Sequence, residues 1–502
     1  MALCLLSLIF AANSASLAAE RNIVFFITDD ESPTLGCYGD PVAVTPAVDQ
    51  LAKSGTLFLN AYATTASCSA SRSVVMTGVH NHLNGQYGHE HDFHHFSTFA
   101  NAISLALPPA MRNAGYRTAQ IGKLHVGPHE VYEFETYLKG PARNPVEMAE
   151  ACRKFISKSD ERPFFLYFAT ADPHRSGQVD ESSKSELKPN LFGNKPGGKA
   201  YPGVKEVIYD PAKVPVPLFL PDTPECREEL AQYYQACSRV DQGLARLIEI
   251  LKEAGVYEKT LIVFTSDHGM AMPGAKTTVY EAGLKVPFVV YNPYIEERGV
   301  QSAALISHVD ITPSLLDFAG ALNHEMNRPK KWTNPDQYWR QRGERLRENR
   351  AGGHQFNTYH GKSWIPLLGH ADSAHHEAIF ASHTFHEIQM YYPMRAVRDQ
   401  NYKLIWNIAD GLSYPFASDL WAASTWQTQY RLGPHAAYGK RTVGKYMHRP
   451  RFELYDMKND PEESVNLASD LHFAPVLEEY KKKLRDQQEK LKDPWITKWD
   501  YE

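Results

Sequence analysis

The sequence predicts an α/β sandwich on a large, mostly parallel sheet, followed by a smaller α+β unit. Three observations carry this. Short continuous apolar runs recur along the first half of the chain, each ends in a polar cluster, and helix-like segments lie between them. Continuous apolar runs fit strands buried on both faces, as parallel sheets require. Their alternation with helices fits a layered α/β architecture.

Residues 22–28 (NIVFFIT) are the first predicted strand and run into Asp29 and Asp30. Thr45-Pro46 then offers a cap with proline in the first helical turn, and Gly55 closes that helix. In TTASCSASRSVVMTG (64–78), Ser69 or Ser71 is placed to cap a helix through Val74 to Thr77. Residue 68 then sits at a helix N-terminus, an end that favours anions. A strand at 118–122 runs into Lys123 and His125, and one at 163–169 into Asp172 and His174. A long helix starts near Thr223-Pro224; Val240, Leu244, Leu247, Ile248 and Leu251 fall at helical spacing and Gly255 ends it. The strand at 260–266 runs into Asp267 and His268. Ligands of such sheets bind beyond the carboxyl ends of the strands, so the four polar clusters are expected to converge.

Residues 176–203 read as a surface loop rich in Gly, Lys and Ser. Residues 323–359 read as a polar insertion whose interleaved charges form a solvated face. Beyond residue 369 strands are expected at 378–382, 394–398 and 402–407, with a closing amphipathic helix at 475–491.

Composition bounds the function. The 502 residues are 43% hydrophobic and 22% charged, which is globular and long enough for a large core with a second domain. The net charge of −5 argues against a nucleic-acid partner. No run reaches the ~20 apolar residues of a membrane span. Residues 1–19 read as a secretory signal, an apolar stretch before small residues suited to cleavage, although the usual basic start is missing. The expected location is secreted or periplasmic, or lysosomal in a eukaryote. Six cysteines without a C-x-x-C pattern make neither a disulfide scaffold nor a structural zinc site. With Cys4 in the signal the remainder is odd, so at least one thiol is unpaired or chemically altered.

CSASR (68–72) resembles the sulfatase signature Cys-x-Pro-Ser-Arg, with Ala70 in the proline position. Further segments resemble landmarks of that family in family order: TPAVDQLAKSGTLFLNAY (45–62), SDHG (266–269), KTTVYEAGLKVPF (276–288), HVDITPSLLD (308–317) and FELYDMKNDPEESVNLA (452–468). The resemblance implies an alkaline-phosphatase-like catalytic domain at 20–370 and a C-terminal α+β subdomain with an antiparallel sheet at 371–502. It also implies that Cys68 is converted to formylglycine, whose hydrate attacks sulfur. The resulting sulfoenzyme intermediate then expels sulfate by re-forming the aldehyde.

A sulfate ester or sulfamate is itself an anion, so attack on it requires cations, a metal and fixed donors. By resemblance, Arg72 orients the modified residue, Lys123 and His125 contact it and the sulfate, and Lys276 binds sulfate oxygens. His174 serves as the acid for the leaving group. Asp29, Asp30, Asp267 and His268 resemble the family calcium site, one Ca2+ per chain. Carboxylates suit that hard cation, and His268 is a softer donor where many members have asparagine. Asp267 is also a candidate to deprotonate the nucleophile.

GQYGHEHDFHHFSTF (85–99), IGKLHVGPHEVYEF (121–134), DERPFFLYFATADPHR (160–175) and YYPMRAVRDQNYKLIWN (391–407) resemble the heparan N-sulfatase, or sulfamidase, branch. That branch removes N-linked sulfate from glucosamine at the end of heparan chains. The implied partners are a sulfated glycosaminoglycan oligosaccharide carrying N-sulfoglucosamine, a formylglycine-generating maturation enzyme, and a second copy in a homodimer. His94, His95, Arg175 and Glu387 are expected substrate contacts. Arg395 pairs either with a heparan carboxylate or with an internal acid. His89, His91, His94 and His95 leave three readings open: zinc, sugar contact or packing. The alternatives for the whole chain are a carbohydrate or aryl O-sulfatase and a phosphodiesterase or phosphonate hydrolase of the same superfamily. A non-catalytic sugar-binding relative is the reading if Cys68 stays unmodified.

Overall fold

The computed structural model describes residues 21–91, 95–176, 187–322 and 359–500. The expected signal and nearly all of the 323–359 insertion lie outside these, as does part of the 176–203 loop.

Eight strands form the large sheet: β1 (Asn22–Thr28), β2 (Thr56–Tyr62), β3 (Arg117–Gly122), β4 (Thr136–Leu138), β5 (Phe164–Ala169), β6 (Thr260–Ser266), β7 (Phe288–Tyr291) and β8 (Val300–Ser307). Their spatial order is β4-β3-β5-β1-β6-β7-β2-β8. All neighbours are parallel except β7, which runs against β6 and β2. The strands expected at 22–28 and 260–266 match residue for residue, and β3 and β5 differ by one residue at their starts. Strands β4 and β8 escape an apolar-run criterion: one has three partly exposed residues, and the other begins half exposed.

The pleat of β1 divides the core. Ile23, Phe25 and Ile27 face one layer with Phe165, Tyr167, Val75 and Leu315, while Val24 and Phe26 face the other with Met148, Val240 and Leu244. All of these side chains are buried, and removing such apolar surface from water, at ~25 cal/mol per Å2, is the main drive for the sheet to sit inside. Helices Pro145–Ile156 and Pro224–Glu253 cover the second layer. Each opens on a side-chain cap followed by proline: Asn144 accepts from Glu147 N, and Thr223 from Cys226 N. Gly243 lets the two helices meet, since a Cβ there would stand 2.1 Å from Pro145 Cβ.

The second sheet comprises β9 (Ile379–His383), β10 (Met394–Arg398) and β11 (Tyr402–Asn407); a short ribbon of β12 (Ala437–Tyr438) and β13 (Arg441–Thr442) precedes its last strand, β14 (Phe452–Asp456). It is antiparallel in the order β14-β11-β10-β9. Val397, Leu404, Trp406 and Leu454 pack on Tyr480 and Leu484 of the helix Ala474–Leu491. Ala381, Met394, Ala396 and Ile405 share another cluster with Tyr62, Met270, Ala275 and Leu284, which joins this sheet to the loops beyond β2 and β6.

Candidate active site

The carboxyl ends of four adjacent strands are level. Asp29 N donates to Asp172 O (3.1 Å), Asp267 N to Thr28 O (3.2 Å) and Lys123 N to Ala169 O (2.9 Å). The polar residues that follow β3, β5, β1 and β6 therefore meet at one place.

Cys68 begins the helix Cys68–Thr77, whose N-cap is Ser67 and not Ser69 or Ser71. The serine hydroxyls are engaged elsewhere. Ser69 Oγ accepts from Glu90 N (3.0 Å), Ser71 Oγ donates to Asp267 O (2.5 Å), and Ser67 Oγ meets His386 Nδ1 (2.9 Å). Cys68 is fully buried, with Sγ 3.4 Å from His268 Nε2 and 3.6 Å from Asp30 Oδ1. Burial opposes the thiolate, but Lys123 and Lys276 outweigh it and lower the thiol pKa.

Arg72, one turn on, spends its five N–H donors on the same ring of groups. Nε donates to Asp267 Oδ2 (2.9 Å), Nη1 to Lys123 O (3.0 Å) and the Tyr167 hydroxyl (3.3 Å), and Nη2 to Asp29 Oδ1 (3.0 Å) and Thr28 O (3.3 Å).

Asp30, Asp267, His268 and Cys68 offer ligand atoms that all lie within 4.8 Å of one another, and all four residues are buried. His268 Nδ1–H donates to Gly269 O (2.9 Å) and Nε2–H to Asp30 Oδ1 (3.0 Å); burial works against its proton, but Asp267 and Asp30 raise its pKa well above the ordinary imidazole value, and Nε2 would serve as a metal ligand on losing that proton. Carboxylates and an imidazole so arranged fit a divalent cation. Asp29 stands beside this group, not in it: Lys123 Nζ lies 2.8 and 2.6 Å from its two oxygens. Burial would raise the Asp29 and Asp30 carboxyls. Lys123, His174 and Arg72 around the first, and Lys276, His174 and His268 around the second, hold both far below the usual range. Burial dominates at Asp267, whose pKa is raised.

Lys276 Nζ contacts Asp30 Oδ2 (2.9 Å), His174 Nε2 (2.9 Å) and Asp419 Oδ2 (3.2 Å). His174 Nδ1–H donates to Arg175 O (2.7 Å), so Nε2 faces the cluster. Burial and Lys276 work against its proton, yet Asp30 and Asp29 raise its pKa overall. His125 meets His91, Nε2 to Nε2 at 2.9 Å, and burial, Lys123 and His91 keep it well below the ordinary imidazole value. Asp30, His125 and Thr277 all have left-handed backbone, with φ of 66°, 56° and 65°. Arg72, Lys123, Lys276 and a helix N-terminus thus gather around residue 68 together with the carboxylates of Asp29, Asp30 and Asp267, and at residue 68 the positive groups prevail.

The expected substrate contacts divide. His94 lies outside the described residues, and His95 is exposed. Glu387 is half-buried, taking bonds from Gln389 Nε2 (2.7 Å) and Ser418 Oγ (3.3 Å). Arg175, expected at the substrate, lies instead in an internal ion pair. Its side chain is 1% exposed, pairs with Glu229 through Nη1 (3.0 Å) and Nη2 (2.6 Å), and donates Nε–H to Ala271 O (2.7 Å). A guanidinium so enclosed is engaged by Glu229 and Ala271. Arg395 takes the internal option, with Asp493 oxygens 2.5 and 3.0 Å away. Of the histidine run, His89 and His91 join His125 in a second group of donors within 4.8 Å, and the buried His89 ring lies 3.7 Å from that of His386, tilted 56° to it. His386 and Asp419, which complete the site from the C-terminal part, carry no motif.

A family model described as Sulfatase matches residues 21–321. Human N-sulphoglucosamine sulphohydrolase is 35% identical over 493 residues, covering 95% of this chain and 92% of that protein. Among solved structures, one of a protein in complex with its substrate D-glucosamine-2-N,6-O-disulfate aligns with a TM-score of 0.62 at 20% identity, over 94% of this chain and 98% of the other. The phosphonate monoester hydrolase of Agrobacterium radiobacter aligns with a TM-score of 0.62 at 18% identity, over 94% and 96%. At such identities the structural matches speak for the fold alone. By its family match over residues 21–321 and its likeness to the human enzyme along nearly the whole chain, the protein belongs to the sulfatase family.

Proposed function

We propose that the chain hydrolyses the N-linked sulfate of glucosamine residues in heparin or heparan sulfate oligosaccharides. The observation that carries this is a buried Cys68 ringed by Arg72, Lys123 and Lys276, in a chain 35% identical to a human N-sulphoglucosamine sulphohydrolase.

In this reading Cys68 is matured to formylglycine, which supplies a hydroxyl nucleophile and, by re-forming its aldehyde, a route for sulfate to leave. Arg72 fixes the neighbouring carboxylates, and Lys123 and Lys276 bind the sulfate oxygens. His174 gives a proton to the leaving nitrogen. His125 contacts the sulfate side. Asp30, Asp267 and His268, with Asp29 beside them, would hold a divalent cation, Ca2+ in the family, whose charge would polarise the sulfate oxygens and withdraw electron density from sulfur. Export, a formylglycine-generating enzyme and a homodimer belong to the same reading. So does a division into a catalytic unit at 20–370 and a C-terminal unit at 371–502.

The test has two arms. The peptide containing residue 68 is expected about 18 Da lighter than its unmodified mass. Purified enzyme is expected to release sulfate from N-sulfoglucosamine faster than from 6-O-sulfated glucosamine or nitrophenyl sulfate, and Cys68→Ala to abolish release while the fold persists. An intact thiol in active enzyme removes the mechanism. Preference for an O-sulfate replaces the substrate with that of a carbohydrate or aryl O-sulfatase.

A further inference from the structure

Lys276 is shared between two carboxylates of different origin. Its side chain is 1% exposed, with Nζ 2.9 Å from Asp30 Oδ2 and 3.2 Å from Asp419 Oδ2. Asp30 belongs to the buried donor group around Cys68 and Asp419 does not. Asp419 comes from the short helix Ser418–Trp421, and its side chain is 21% exposed. Its Oδ1 accepts from Leu420 N (2.9 Å). The same Lys276 ammonium touches His174 Nε2 at 2.9 Å, so Asp419 stands on the leaving-group side of the site.

A carboxylate in that position opposes sulfate binding, because it takes up positive charge that Lys276 would otherwise offer the anion. It is useful only if the reaction brings positive charge to the same place. Sulfamates and sulfate esters differ in this. When an S–N bond breaks, its electron pair stays on nitrogen and sulfur passes to the attacking oxygen. Nitrogen takes a proton from His174 and departs as a primary amine, and a second proton from solvent makes it an ammonium. An alcohol leaving from an ester takes one proton and stays neutral.

The geometry points to Asp419 as a specificity-determining residue that receives the amino group of the departing sugar and so favours N-linked over O-linked sulfate. This rests on the sulfamidase reading above. Glu387, joined to the neighbouring Ser418 hydroxyl (3.3 Å), adds a second carboxylate near Asp419.

The experiment compares wild type with Asp419→Asn and Asp419→Glu. N-sulfoglucosamine and nitrophenyl sulfate are the substrates, and glucosamine and N-acetylglucosamine are inhibitors of nitrophenyl sulfate turnover. In Asp419→Asn the ratio of kcat/KM for N-sulfoglucosamine over nitrophenyl sulfate is expected to fall about 10–100-fold, as for loss of a hydrogen bond to a charged group. The inhibition constant for glucosamine should rise about tenfold relative to that for N-acetylglucosamine, and Asp419→Glu should recover part of both effects. Equal losses on both substrates with unaltered glucosamine inhibition would reduce Asp419 to a prop for Lys276 and overturn the inference. If the wild type releases no sulfate from N-sulfoglucosamine, the sulfamidase reading fails, and the Asp419 inference resting on it falls as well. If it does release sulfate and glucosamine inhibits both proteins alike, only the Asp419 inference fails.

Discussion

Arg175→Ala separates a structural arginine from a ligand-binding one. Glu229 is fully buried and accepts two bonds from Arg175, one from Asn190 N (3.1 Å), one from the Ser424 hydroxyl (3.0 Å) and one from the Thr425 hydroxyl (2.6 Å). It ties the long helix to the 187–190 segment and to residues 424–425. Removing the guanidinium leaves a carboxylate in this enclosure without its countercharge. Breaking a buried pair on one side costs about 3–5 kcal/mol. The lost packing of the guanidinium over Phe192, 5.0 Å from the ring centroid, adds to that. Urea unfolding followed by tryptophan fluorescence should show the midpoint falling accordingly. The remaining folded enzyme should keep a KM within about threefold of wild type, because no uniform binding energy is removed. Arg175→Met/Glu229→Gln, which removes both charges, should recover part of the loss. A variant as stable as wild type but with a strongly raised KM would refute the reasoning and return Arg175 to the substrate.

Gly243→Ala should destabilise by about 1–3 kcal/mol, because the new methyl meets Pro145 Cβ at 2.1 Å and rigid backbone behind it; an unchanged urea midpoint would contradict the packing of helices Pro145–Ile156 and Pro224–Glu253. Asp310 is buried; burial alone would raise its pKa, but the His375 and His376 imidazoles beside it, 3.4 and 2.9 Å away, lower it from 3.8 to about 2. Its contribution is present above pH 3.8 and lost as pH falls toward 2, about 2 kcal/mol in all, so Asp310→Asn should flatten the acid limb of stability against pH by that amount. Prolonged dialysis against EGTA should lower the thermal midpoint as well as activity, since Asp30, Asp267 and His268 then lose the ion they share; an unmoved midpoint, with metal content shown to be nil, would argue against a bound divalent ion.

What the sequence made legible follows from how local each signal is. Asp29-Asp30, Lys123, His174 and Asp267-His268 each sit directly after an apolar run, and a parallel sheet brings such ends together whatever the rest of the chain does. Cys68 at the start of its helix was readable for the same reason, although the cap was not. Ser67, Ser69 and Ser71 are equivalent in one dimension, and only Glu90, Asp267 and His386 decide between them. Arg175, next to His174, has the credentials of a ligand residue until Glu229 is found beside it, 54 positions away. His386 and Asp419 reach the site from the loop after β9 and from the helix Ser418–Trp421, through contacts spanning 319 and 143 residues. No periodicity or motif encodes distances of that kind.

Left-handed backbone at Asp30, His125 and Thr277 has a consequence for anyone wishing to toughen this enzyme. Each such conformation stores on the order of 1–3 kcal/mol in a residue that is not glycine. Glycine at those positions would relax the loops, and a stability screen would reward it, yet it would delete a carboxylate, an imidazole or a hydroxyl from the pocket. Heat resistance and turnover therefore compete at these three addresses, and gains in robustness are better sought in the helices behind the sheet.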